Sequence, residues 1–165
     1  MDIFDKLLEP IKIPNFVPVH FEIEHGMIQR EDIADIVEKS IRESGAVSRL
    51  KEGDTVAVAA GSRGINNYGE VVRSVVDVLK KAGARPFVFP AMGSHGGAVA
   101  EGQRRILEGY GITEETMGVP IIASMETVQI GETPHGVPVY IDKHAAEADF
   151  IVPVGRVKPH TEFRG

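Results

Sequence analysis

The stretch Thr55-Val-Ala-Val-Ala-Ala60, followed at once by Gly61-Ser-Arg-Gly64, decides how the rest of the sequence is read. A short apolar run with no charge on either face suits a strand buried on both sides of a parallel sheet. A glycine-containing turn directly after it suits the carboxyl end of such a strand, where the chain swings into a helix. The helix is legible in the spacing. Val71, Val72, Val75, Val78 and Leu79 fall on one face of a segment from Tyr68 to Ala82, and Gly83 stops it. Arg85 to Phe89 then reads as the next strand.

Working outward, Arg30 to Ser44 has a helical spacing at Ile33, Ile36, Val37 and Ile41. Phe16 to Ile23 reads as a strand, which Pro14 and Pro18 place at an edge. Toward the other end, Ala98 to Tyr110 reads as a helix ending near Gly111. Thr113 to Met117 reads as one helical turn, with Thr113 as its cap and Glu114 and Glu115 as first-turn charge. Val119 to Ala123 reads as a strand. Val128 to Ile130 and Val137 to Ile141 form a hairpin around Thr133-Pro-His-Gly136. Lys143 to Ala148 is a short helix and Asp149 to Val154 a strand. This alternation predicts an α/β fold, Rossmann-like and doubly wound, with a mostly parallel sheet and an antiparallel hairpin. Residues 1–165 make one domain by length. After the strand at Val154 no covering helix follows, so the expectation is a truncated N-terminal domain of a larger enzyme.

Composition narrows the function classes. There is no cysteine, which removes disulfides, thiolate zinc sites and thiol nucleophiles. A metal would need His and carboxylate ligands, or a cofactor that brings its own. The net charge of -6 disfavours a nucleic-acid partner, although a few loop groups can still bind an anion. No apolar run reaches membrane-spanning length. Met1 to Asn15 mixes Asp2, Asp5, Lys6 and Glu9 with apolar residues and does not read as a secretory signal. A cytoplasmic enzyme acting on a small molecule, possible as a homo-oligomer, fits this profile.

Three loops carry the candidate chemistry, each directly after an expected strand: Gly61-Ser-Arg-Gly64, Met92-Gly-Ser-His-Gly-Gly97 and Gly155-Arg-Val-Lys-Pro-His160. If the strands are parallel, the loops share the carboxyl edge, where open α/β sheets bind ligands. In the first loop Arg63 can grip a carboxylate or phosphate with paired donors; a strand-to-helix turn with a solvated arginine is the plain alternative. The glycine spacing fits neither a P-loop nor a dinucleotide fingerprint. In the second, His95 sits in a glycine-rich turn that opens a helix. Its imidazole suits proton transfer near neutral pH, and the backbone N–H groups suit an anion. In the third, Arg156 and Lys158 beside His160 suggest an anionic substrate and favour a neutral imidazole; a charged surface tail is the plain alternative. His20, His25, His135 and His144 read as structural or solvated. Glu22, Glu24 and His25 could hold a metal by composition but read more simply as a polar strand face.

From the second loop onward the sequence resembles a known family, the nickel-dependent lactate racemases. The resemblance rests on Gly93-Ser-His95 before a helix, on Thr133-Pro-His-Gly-Val-Pro-Val139, on Ala145-Ala-Glu-Ala-Asp149 and on Gly155-Arg-Val-Lys-Pro-His160, in that order. It covers most of the chain from about Thr55. It implies an N-terminal α/β domain that, with a C-terminal domain, encloses a nickel-pincer nucleotide. That cofactor takes a hydride from the alpha carbon of a 2-hydroxy acid, and its return to either face interconverts the enantiomers. Carried over, His95 and His160 are the acid/base pair and Arg63 holds the substrate carboxylate. Ser62, Gly93, Ser94, Gly96 and Lys158 contact the cofactor. The protein itself supplies no metal ligand in this chain.

The sequence departs from the family pattern at two places. Ala60 stands where the best-known members carry aspartate, and Gly96 where they often carry arginine. The family's cofactor-tethering lysine and nickel-binding histidine belong beyond Gly165. On residues alone, two other readings stay open: a nickel-independent enzyme acting on a small carboxylated or phosphorylated ligand, and a non-catalytic nucleotide- or anion-binding module.

Overall fold

The computed structural model describes residues 15–20 and 26–157. The elements run α1 (Ile33–Glu43), β1 (Thr55–Ala60), α2 (Tyr68–Lys81), β2 (Arg85–Pro90), α3 (Ala100–Gly109), α4 (Glu114–Met117), β3 (Thr127–Glu132), β4 (Pro138–Asp142), α5 (Lys143–Glu147) and β5 (Phe150–Val154). The main sheet is three-stranded in the order β2-β1-β5, and both pairings are parallel. The chain therefore goes out from β1 to β2, then crosses back to the opposite side of β1. The strand order reverses at β1/β5, the kind of crevice where doubly wound sheets take their ligands.

β1 is central because it can be buried on both faces. Val56, Val58 and Ala60 enter a core with Val72, Val75, Val76 and Leu79 of α2 and with Leu107, Ile112 and Met117 beyond β2. Ala57 and Ala59 point the other way, toward Phe89 and Ala145 of α5, with Phe87 and Ile141 packed alongside. The Val/Ala alternation thus sorts volume: the larger residues meet the helices, and the alanines leave room for phenylalanines. α5 is tied to the foot of the hairpin by Lys143 Nζ and Glu126 Oε2, 2.8 Å apart, and Asp142 caps it by accepting from Ala145 N at 3.0 Å. Thr113 caps α4, with reciprocal bonds between Thr113 and Thr116. The hairpin pairs β3 with β4 antiparallel and carries an irregularity between Gln129 and Gly131.

Two expectations are corrected. The strand expected over Val119 to Ala123 shrinks to one parallel bridge, Val88 with Ile121. Val88 N donates to Pro120 O at 2.9 Å and Ile122 N to Val88 O at 2.8 Å. The next rungs in either direction would need N–H groups from Pro86, Pro90 or Pro120, and proline has none. The edge strand expected over Phe16 to Ile23 does not form across residues 16–20, which pair with no strand; Phe16 and Val17 are 87% and 76% exposed. Residues 21–23 lie outside the described residues. Smaller differences sit at helix starts. A 3-10 turn, Arg30–Asp32, precedes α1, and another, His95–Ala98, precedes α3. Among the described residues no helix is long and apolar enough to cross a membrane.

Candidate functional site

The carboxyl ends of the three strands are fastened together before any loop begins. Ala91 N donates to Ala60 O at 2.8 Å, joining β2 to β1. On the other side Tyr68, at the start of α2 and 2% exposed, bridges β1 and β5. Its hydroxyl accepts from Gly61 N and donates to Val154 O, each at 2.7 Å. Burial raises the Tyr68 phenol above its ordinary pKa, while the Gly61 N–H acts in the opposite direction. The phenol therefore stays protonated and able to donate.

From this platform the first loop carries Ser62 and Arg63 outward. Tyr110, packed edge-to-face on Tyr68, donates from its hydroxyl to Ser62 O at 2.8 Å. Arg63 is exposed and forms no ion pair among the described residues. The second loop is held from beneath. Gln103 of α3, 3% exposed, donates from Nε2 to Gly93 O at 2.7 Å. Gly96 meets Gly102 of the same helix so closely that a Cβ on Gly102 would stand 1.8 Å from Gly96 O. Gly96 also has φ of 67°, a conformation glycine adopts without strain. Its lack of a side chain thus follows from the packing of α3.

The two loops meet through one contact. Ser62 Oγ lies 2.5 Å from His95 Nδ1. His95 is otherwise exposed. The sequence therefore placed His95, Ser62 and Arg63 at one sheet edge, and the chain folds so that they are there. Gly93 and Ser94 lie in the same loop and are exposed. The third loop leaves β5 at Gly155, and Arg156 and Val157 are exposed. Lys158 and His160 lie outside the described residues, as do Glu22, Glu24 and His25. Sequence reasoning missed Tyr68, Gln103 and Tyr110, which hold the loops without being part of them. A glutamine on the apolar face of a helix, four residues before Leu107, was the available signal for Gln103.

Beside Gly93, on the second face of the sheet, lies a cavity of about 450 Å³ walled by Phe89, Met92, Met125, Tyr140 and Ile151. Among the described residues no group of three or more His, Asp or Glu is placed to hold a metal ion.

A family described as the lactate racemase N-terminal domain matches residues 11–164. The chain belongs to that family. No curated protein matches it. Membership in the lactate racemase N-terminal domain family gives the first departure a structural place. Ala60, where aspartate was expected, is fully buried against the helices, so the end of β1 offers no carboxylate to this edge.

Proposed function

We propose that the chain is the N-terminal domain of a two-domain isomerase that interconverts the enantiomers of a 2-hydroxy acid. The observation that carries this reading is the meeting of the first two loops at the adjacent carboxyl ends of β1 and β2. It sets an exposed arginine beside a histidine anchored through one ring nitrogen. Arg63 would take the substrate carboxylate, since a guanidinium binds it with two donors and does not compete as a base. His95 would exchange the proton of the 2-hydroxyl, and His160 would do so for the other enantiomer.

The residues present fit a nickel-pincer nucleotide. No cysteine exists in the sequence, so a metal arriving with its own ligands, rather than one held on protein thiolates, suits the donor set. A Cβ on Gly93 or Gly97 would meet nothing within 4 Å, which leaves open backbone where such a group would approach. Gly93, Ser94, Gly96 and Lys158 would hold it; Ser62, which the resemblance also gives to it, spends its hydroxyl on His95 instead. When bound, it supplies the hydride-accepting centre, while orientation and proton transfer fall to the protein. The buried Ala60 favours a second reading, in which a relative without nickel acts on a different small carboxylate or phosphate. A cytoplasmic setting and self-association belong to the same proposal.

The test uses full-length protein from a host able to make the cofactor. Near-stoichiometric nickel retained through dialysis, with racemisation of a 2-hydroxy acid seen by chiral chromatography, supports the first reading. His95→Gln should then lower the rate at least about a hundredfold. An unchanged rate removes His95 as acid/base. Turnover without nickel moves the assignment to the second reading.

A further inference from the structure

We infer that Ser62 is a positioning residue. It holds His95 in the Nδ1–H tautomer and so makes Nε2 the nitrogen that exchanges a proton. This rests on the acid/base reading of His95, but it concerns a different group and has its own measurement.

The geometry begins with the 2.5 Å contact between Ser62 Oγ and His95 Nδ1. A serine hydroxyl can donate or accept, so the contact alone permits either tautomer. The chemistry decides between them. If Ser62 donated into Nδ1, the neutral ring would carry its hydrogen on Nε2. Its one basic nitrogen would then be the one covered by serine, leaving no site for a substrate proton. If Nδ1–H donates to Ser62 Oγ, Nε2 is bare and can accept. When the substrate hydroxyl gives up its proton, that proton goes to Nε2. The ring becomes imidazolium, Nδ1–H still points at Ser62 Oγ, and the serine stays neutral. The same bond serves before and after transfer, and it serves again when Nε2–H returns the proton.

The surroundings make this a built arrangement. Ser62 is not free to follow the ring, because its carbonyl accepts from Tyr110 at 2.8 Å and the preceding Gly61 N is held by Tyr68 at 2.7 Å. His95 is not free to follow the serine. Its loop is fixed by Gln103 at Gly93 O and by the close passage of Gly96 against Gly102. Each partner is anchored to a different strand end, so the contact sets the ring plane. The other polar groups near the loops do not compete for Nδ1: Arg63 carries only donors, and Ser94 makes its contact through backbone, accepting from Ala98 N at 3.0 Å. The resemblance gave Ser62 to the cofactor; its hydroxyl is already in use by the histidine.

The experiment is 15N NMR of the full-length protein with labelled histidine, the His95 signals being assigned by their loss in His95→Gln. At a pH where the ring is neutral, wild type should show a protonated Nδ1 and a bare Nε2. Ser62→Ala should move the population several-fold toward Nε2–H, the form free imidazole side chains favour, and Ser62→Thr should restore it. A wild-type Nε2–H ring, or a Ser62→Ala ring with unchanged tautomer, overturns the inference. In turnover, Ser62→Ala should lower kcat about ten- to a hundredfold with little change in KM. A raised KM with kcat intact would make Ser62 a binding residue and also overturn it. Tautomer control by Ser62 in a protein that racemises no 2-hydroxy acid sustains the positioning role and removes the racemase reading, so the two fail separately.

Discussion

Replacing Tyr68 with phenylalanine removes one oxygen and leaves the ring, including its edge-to-face packing on Tyr110. What is lost is the fastening between β1 and β5: one bond accepted from Gly61 N and one given to Val154 O, both 2.7 Å. Each such bond is worth about 1 kcal/mol net, and more where a buried partner is left unsatisfied. Val154 O can fall back only on the longer approach of Gly61 N at 3.4 Å. Tyr68→Phe should therefore cost about 2 kcal/mol. At roughly 2–4 °C per kcal/mol for a domain of this size, the midpoint of thermal unfolding should drop by about 4–8 °C, read by circular dichroism. The sign with pH is also set. The folded phenol is raised above the ordinary tyrosine value of 10.0, so its contribution is fully present below that value. It is lost as pH rises through the folded pKa, because the unfolded state releases its proton first. Wild type should thus lose stability above about pH 10 more steeply than the variant. Equal midpoints for the two proteins at neutral pH would show that the hydroxyl does not join the strands and would refute the argument.

Gly102→Ala and Gly109→Ala lie in one helix and should have opposite signs. A Cβ at Gly109 meets nothing within 4 Å, so alanine there should stabilise by about 0.5–1 kcal/mol. At Gly102 it meets the Gly96 backbone and should cost about 1–3 kcal/mol in urea unfolding while displacing His95. Asp149 accepts from Thr55 N at 2.8 Å and Thr55 Oγ1 at 2.7 Å, and these bonds, the backbone one foremost, lower its pKa. Its contribution is present above the ordinary carboxylate pKa and lost as pH falls through the folded value. Urea midpoints taken from pH 6 down to about pH 2 should fall less steeply in Asp149→Asn than in wild type.

The elements legible in the sequence were those whose own residues settle the matter. β1 needs only its apolar run, α2 only its valine spacing, and Thr113 only its place before two glutamates. Residues 119–123 were misread because strand propensity is a property of a segment, whereas a ladder needs donors from both partners. Pro86 and Pro90 withhold theirs from a strand that lies far away in sequence. Residues 16–20 carry apolar side chains yet pair with no strand, and those side chains stay exposed. The site divides in the same way. The glycine-flanked His95 and the Arg63 turn announced themselves locally, each following a strand. The contact between Ser62 and His95, and the tyrosines and glutamine that fix it, depend on which strand ends adjoin, and that became visible only with the order β2-β1-β5.

The prolines of this sheet also bear on how a newly made chain avoids its neighbours. TVAVAA at residues 55–60 is the kind of segment that stacks with copies of itself, being apolar, uncharged and free of proline. Folding encloses it between two parallel partners. The strands that form the flanks are RPFVFP and FIVPV. Within a paired strand a proline must turn its nitrogen away from the partner, so Pro86 and Pro90 interrupt one outer margin and Pro153 the other. The segment most prone to polymerise is thus withdrawn from contact, and those left at the rim are the ones least able to recruit another chain.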